Sequence, residues 1–316
     1  MELFTHALSG LVLSRAALEP ELGTPAVWVF TVATVIPDAE SVVAALGMPA
    51  YLKHHRGLSH SLLFTPLLAL GLAGVWALIF DGISFGTLWA VALGGLLLHL
   101  LLDWVNSYGT QLLLPLSHRH FALDLDIIID LWVFLPLLAA GVIQQVWPAH
   151  TGLTAAIGLG LCACGLVLRA VLRARAGALV PGERLGVLPG LWTMLHPFSW
   201  RVVQRDAQGL VVHDVFTGRG VVRTTEVPCL SPEALHRAAQ GSRLGRAFVY
   251  WSRFPCVREE RTEQGRRLIG TDLRFAASPD AAGTALHIEF DPQGRVVRES
   301  FRFGPPGRSE RAESKE

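Results

Sequence analysis

Leu62–Phe80 contains no charged residue. A helix needs about 20 apolar residues to cross the hydrocarbon core of a bilayer, and this run meets that requirement. Three more runs follow. Gly86–Leu102 is apolar except for His99 near its end, Ile127–Trp147 carries Asp130 in its first turn, and Thr151–Leu168 is stopped by Arg169, Arg173 and Arg175. These four runs are read as membrane spans. Leu3–Leu18 and Val27–Ile36 are shorter and are separated by Glu19-Pro-Glu21 and Gly23-Thr-Pro25. They read as a helical hairpin that dips into or spans the membrane, with buried helices of a bundle as the alternative. Glu2 stands where a cleaved signal peptide carries basic residues, so the first segment is expected to be retained.

The whole-chain composition hides a division. The chain is 51% hydrophobic and 17% charged, with a mean hydropathy of +0.41, against about 25% charged in soluble domains. Charges are sparse from Leu62 to Leu168 and frequent from Arg169 onward. The expected fold is therefore an α-helical integral membrane domain over 1–175. A small β-rich (α+β) soluble domain follows over 176–303, then a polar, disordered tail over 304–316. The net charge of +1 averages unlike halves and identifies no partner. Of the four cysteines, Cys162 and Cys164 lie in an apolar run and Cys229 and Cys256 stand apart. No thiolate metal site or disulfide framework is legible, and all four read as small buried residues.

Basic residues in short loops orient a membrane protein. Alternation of the spans puts the 49–60 loop, the 104–126 loop and everything after Arg169 on one side. That side holds Lys53, Arg56, Arg119, Arg169, Arg173 and Arg175, whereas the 81–85 and 148–150 turns hold no Lys or Arg. In a bacterial-type inner membrane the basic side is cytoplasmic, so the soluble domain is expected there too.

Ionisable residues near membrane spans are costly and mark function by default. His99 and Asp103 form an HxxxD pair, whose i, i+4 spacing puts both side chains on one helical face. His6 opens the first hairpin helix and Asp38 ends the second. His54, His55 and His60 precede the first long run, and Asp124, Asp126 and Asp130 open the third. Each residue alone has a bland reading: an interfacial histidine, a solvated loop for His118 and His120, a helix cap for Asp126. Their convergence at one membrane face raises His55, His60, His99 and Asp103 to expected ligands. Imidazole and carboxylate without thiolate suit Zn²⁺, Mn²⁺ or Fe²⁺, as one ion or two. Two ions would clamp a phosphoester and activate water. Arg56 either holds the phosphate bidentately or anchors the positive side.

Thr5-His6-Ala7, Pro37-Asp38-Ala39-Glu40, His55-Arg-Gly-Leu-Ser-His60-Ser61 and His99-Leu-Leu-Leu-Asp103 occur in that order, followed by Asn106-Ser-Tyr-Gly-Thr110. Together they resemble the bacterial YdjM-like family of membrane-bound metal-dependent hydrolases, over residues 1 to about 172. The ligand order is also similar to zinc-dependent phospholipase C and related nucleases. The resemblance implies metal-dependent hydrolysis, with His6, Asp38, His55 or His60, His99 and Asp103 as ligands. Glu40 stands where the family usually has Asp, and no third HxxxD or HxxxE motif follows, unlike a trinuclear site. Glu40, or a carboxylate among Asp124 to Asp130, is the expected general base.

In the second half, Ser199–Gln204 and Leu210–Phe216 flank a turn, as do Leu286–Phe290 and Val296–Phe303. Phe248–Phe254 and Leu268–Phe275 complete an expected antiparallel sheet of five or six strands. Acids accompany the arginines, so no nucleic-acid surface is indicated, and the protein partner of this half stays open. The expected partners are the lipid bilayer and a lipid substrate. The rival readings are a metal-binding regulatory or scaffold protein and an ion transporter. The one-sided placement of the ionisable residues disfavours transport.

Overall fold

A computed structural model describes residues 3–190, 193, 195–207, 209–276 and 283–304. The tail beyond 304 lies outside these residues. The chain forms two compact units: Met1–Val42, Arg56–Ala178 and Leu188–Trp200; and Val43–His55, Leu179–Val187 and Arg201–Glu316.

The first unit is helical. It contains α1 (Leu3–Ala17), α2 (Glu19–Leu22) and α3 (Thr24–Ala33), and a 3-10 stretch continues from Ile36 to Leu46. The short helix α4 (Met48–His54) belongs to the second unit. The first then resumes with α5 (Thr65–Ala77), α6 (Phe85–Val105), α7 (Leu131–Val146) and α8 (Thr151–Ala178). Thr24–Leu46, Phe85–Val105 and Pro148–Ala178 are long and apolar enough to cross a membrane. A fourth passes only as two helices on either side of a break, Met48–His60 with Thr65–Ala77. Two expected spans are thus shorter than their apolar runs. In the first, residues 61–64 are consumed by a turn, so α5 begins only at Thr65. In the third, Asp130 caps the helix through its side chain to Trp132 N–H at 2.7 Å, and α7 begins at Leu131.

Leucine and valine side chains on these helices are widely exposed, including Leu67, Leu70, Leu97, Leu135, Leu153, Ile157 and Val167. Lipid replaces water around such faces, so packing relies on small residues that let backbones approach. Ala26, Val29, Phe30 and Ala33 of α3 meet Ala69 and Ala73 of α5 and Leu88, Ala92 and Leu96 of α6. Gly95 sits at a tight crossing, where an added Cβ would stand 2.5 Å from the Phe30 carbonyl oxygen.

The C-terminal part of the chain carries β1 (Gly186–Pro189), β2 (Ser199–Asp206), β3 (Gly209–Phe216) and β4 (Gly220–Pro228) in one sheet of that order, strand by strand. After α9 (Pro232–Ala239) and α10 (Arg243–Trp251) come β5 (Pro255–Thr262), β6 (Gly265–Asp272), β7 (Gly283–Phe290) and β8 (Val296–Gly304), again in order. Among the described residues the strands number eight in two antiparallel sheets, where a single sheet of five or six was expected. Phe248 also belongs to a helix, contrary to expectation. Leu244, Ala247, Phe248 and Trp251 recur at i, i+3, i+4 and i+7 and are buried along one face of α10. Ser242 caps that helix by accepting from Gly245 N–H.

Cys229 and Cys256 form a disulfide with Cα atoms 5.2 Å apart, linking the segment after β4 to β5. Taken singly they had read as isolated residues. Sequence spacing carries no sign of a bridge that joins the edges of two sheets.

Candidate metal centre

The tight crossing of α3 and α6 builds the centre. One turn beyond Phe30 lies Thr34, and one turn beyond Gly95 lies His99. The close approach brings the Thr34 carbonyl to His99 Nδ1 at 2.9 Å. A carbonyl only accepts, so Nδ1 carries the proton and Nε2 presents a lone pair. His60 is held in the same way by different groups. Its Nδ1 lies 2.9 Å from the Ser59 hydroxyl and 3.5 Å from Glu40 Oε1, while that hydroxyl donates to Glu40 Oε2. The His60 Nε2 lone pair therefore also points inward.

The two Nε2 atoms stand 3.0 Å apart. Asp38 Oδ1 is 3.5 Å from that of His60 and 3.9 Å from that of His99. Asp103 Oδ2 is 3.3 Å and 3.6 Å from the same two atoms. One ligand atom from each of Asp38, His60, His99 and Asp103 falls within 4.8 Å of the others. Two lone pairs facing each other beside two carboxylates repel unless a cation lies between them. The donor set and its pinned outer nitrogens thus fit a divalent metal. Among the described residues this is the one such group.

The other candidate residues take different places. His6 stacks on the His99 ring, with centroids 4.0 Å apart, and its Nε2 lies 3.3 Å from Asp103 Oδ1. It touches the group through Asp103 and the His99 ring and is outside the four. Arg56 Nη2 holds the same Asp103 oxygen at 2.9 Å. Glu40 accepts from Arg56 N–H on Oε1 and from the Ser59 hydroxyl on Oε2. His55 lies in the second unit, stacked on Tyr51 with centroids 4.6 Å apart.

Asp126 and Asp130 both pair with Arg169 of α8, and Asp124 stands 3.9 Å from Arg173. Burial holds the Asp126 carboxyl above the usual range, against the pull of Arg169. These acids form a separate buried ion-pair network. Sequence reading gave Thr34 and Ser59 no role and took Arg169 only as a charge that ends a span and marks the basic side. Ser59 is adjacent to His60, but nothing local marks Thr34, which matters only through the helix crossing.

A family model, YdjM inner membrane protein, matches residues 1–176. A Bacillus subtilis (strain 168) protein described as "Uncharacterized protein YfhP" is 26% identical over 264 residues, covering 80% of each chain. No solved structure matches the chain. The family match spans more than half of the sequence and contains every residue of the centre, so the chain belongs to the YdjM family of inner membrane proteins.

Proposed function

We propose that this protein is a membrane-embedded metal-dependent hydrolase acting on phosphoester bonds, with a lipid headgroup as the substrate. The observation that carries the reading is the meeting of two histidine Nε2 lone pairs, each fixed by a hydrogen bond on its far nitrogen, between two carboxylates. Zn²⁺, Mn²⁺ or Fe²⁺ suits that donor set, and four converging atoms serve one ion. When bound, the ion supplies Lewis acidity and an activated water.

The chain's own groups supply the rest. Asp38 and Glu40 keep 15% and 12% of their side chains exposed, while His60, His99 and Asp103 are fully buried. Substrate therefore approaches over the Asp38–Glu40 edge, where a carboxylate can take the proton released from water. Glu40, through Ser59, keeps His60 in its metal-binding tautomer. Asp124 and Asp130 lie beside Arg173 and Arg169, so the base role is assigned to the Asp38–Glu40 edge.

Full burial of three of the four ligands also favours a second reading, a structural ion in a regulatory membrane protein. The discriminating experiment is elemental analysis of the purified protein, followed by assays of that preparation on phospholipids and soluble phosphodiesters. Metal-dependent turnover supports the hydrolase. Stoichiometric metal that resists chelation, with no turnover on either substrate class, supports the structural ion.

The basic loops support a cytoplasmic placement of the soluble half. The Cys229–Cys256 disulfide favours the opposite face, because disulfides persist in oxidising compartments. A C-terminal reporter enzyme active only inside the cell separates the two: activity supports the cytoplasmic placement, and silence beside normal expression rejects it.

A further inference from the structure

Arg56 has a left-handed backbone, φ 56°, which a non-glycine residue adopts only when its surroundings hold it there. Two contacts do so. Its N–H donates to Glu40 Oε1, and its carbonyl accepts from Gln111 N–H at 3.3 Å. The side chain is carried inward until only 3% of the residue is exposed. There Nη2 meets Asp103 Oδ1 at 2.9 Å, and the guanidinium carbon lies 4.6 Å from the centroid of the Tyr108 ring.

Those contacts leave Nε and Nη1 buried without a hydrogen-bond partner among the described residues. A guanidinium does not lose its proton to escape this. Leaving a buried donor unmade costs roughly 1–3 kcal/mol, and more when it is charged. The position matters as much as the deficit. Asp103 is shared, with Oδ1 on Arg56 and Oδ2 toward the histidine nitrogens. One carboxylate thus separates the unfilled donors from the metal position.

We infer that Arg56, steadied by Tyr108, forms an oxyanion subsite beside the metal position, and that its ligand is a phosphate-type tetrahedral anion. Two unfilled donors on a permanent positive charge call for an anion, which a neutral ester or amide does not supply, and a phosphate group is the anion that the hydrolase reading brings beside the metal position. This inference rests on the metal-dependent reading above and names the residue that would hold the anionic group of its substrate.

The test uses the full-length protein in detergent, loaded with Mn²⁺, and follows the ³¹P relaxation of inorganic phosphate. Wild type is expected to show saturable, metal-dependent relaxation enhancement. Arg56→Lys keeps a charge beside Asp103 but loses the fork of donors. It is expected to retain Mn²⁺ and to bind phosphate about tenfold more weakly or worse. If the lysine variant loses its metal, Tyr108→Leu decides, with metal kept and phosphate weakened as the expected result.

Competition then identifies the source of the anion. Displacement of phosphate by vesicles of phosphatidylcholine containing phosphatidic acid assigns the subsite to a lipid headgroup. Displacement by glycerol phosphate alone assigns it to a soluble ester. Unchanged phosphate affinity in a metal-loaded variant, or no phosphate binding by metal-loaded wild type, overturns the subsite and leaves the metal reading standing. Failure of wild type to bind Mn²⁺, Zn²⁺ or Fe²⁺ overturns the metal reading itself.

Discussion

Asp103 in the membrane unit and Asp272 in the soluble unit are both fully buried, and they are answered in opposite ways. Asp272 is met by protein donors alone. Arg274 donates through Nε at 2.9 Å and Nη2 at 2.8 Å, the N–H groups of Arg253 and Arg274 add 2.8 Å and 2.9 Å contacts, and Ser252 donates its hydroxyl. Arg274 in turn lies over the Trp251 and Phe275 rings. Asp103 Oδ1 meets Arg56 and His6. Its other oxygen faces His60 and His99 nitrogens whose protons point elsewhere. A buried carboxylate with a full set of donors is structural. One that shares its space with opposed lone pairs is arranged around something not made of protein.

That contrast breaks most sharply at the metal. His99→Ala and Asp103→Ala are each expected to abolish metal content in inserted, full-length protein, with hydrolysis lost alongside. Elemental analysis after purification reads the result. If both variants keep full metal, the ligand set is wrong. Chelation of wild type is expected to lower the stability of the membrane unit and to leave hydrogen exchange around Asp272 unchanged.

The next effect falls in the other unit. Arg274→Met removes the main partner of Asp272, and breaking a buried pair from one side costs roughly 3–5 kcal/mol. Faster amide exchange in β5–β8 of the full chain is the readout. The double variant Arg274→Met with Asp272→Leu is expected to recover much of the loss, since an apolar replacement of a whole buried pair is often neutral. No such recovery is expected for a double change at His99 and Asp103, because an ion cannot be replaced by packing.

The membrane half was legible because its signals are local. An uncharged run states its own environment, and HxxxD states which face of one helix two side chains share. Asp38, His60, His99 and Asp103 were therefore recoverable from order and spacing. What escaped depends on chain segments meeting. Thr34 orients His99 only because Gly95 lets α3 and α6 close to backbone contact. The acids at 124–130 were weighed as catalytic because their partners, Arg169 and Arg173, lie far along the sequence. In the soluble half, the short apolar stretch around Phe248 was ambiguous between strand and helix, and burial on a 3.6-residue period decided for helix. The disulfide was invisible for the same reason as Thr34.

A smaller effect sharpens the comparison from the membrane side. Glu40→Gln keeps the size of the side chain but weakens the acceptor that fixes Ser59 and, through it, His60 Nδ1. Metal affinity is expected to fall about 10–100-fold, the range typical for residues that orient a metal-binding histidine. Titration with a competing chelator measures it. A Glu40→Gln protein with wild-type affinity but no turnover would instead make Glu40 the general base.

The smallest effect separates the units by acid. Burial alone would raise the Asp272 carboxyl, but the Arg274 charge and the hydrogen bonds from Arg274 and Ser252 outweigh it and hold the group below its ordinary value. A depressed carboxylate stabilises the folded state fully above its unfolded pKa of about 3.9. That contribution is lost as pH falls below this value toward the folded one. Amide exchange in β5–β8 is therefore expected to be flat with respect to this group from pH 7 down to about 4, and to quicken below that. Asp272→Asn, already destabilised at neutral pH, is expected to lack the added acid-dependent limb. Exchange that rose equally in the variant and in wild type would show that the protein donors around Asp272 do not stabilise its charge, and the contrast with Asp103 would fail on the side where it is now strongest.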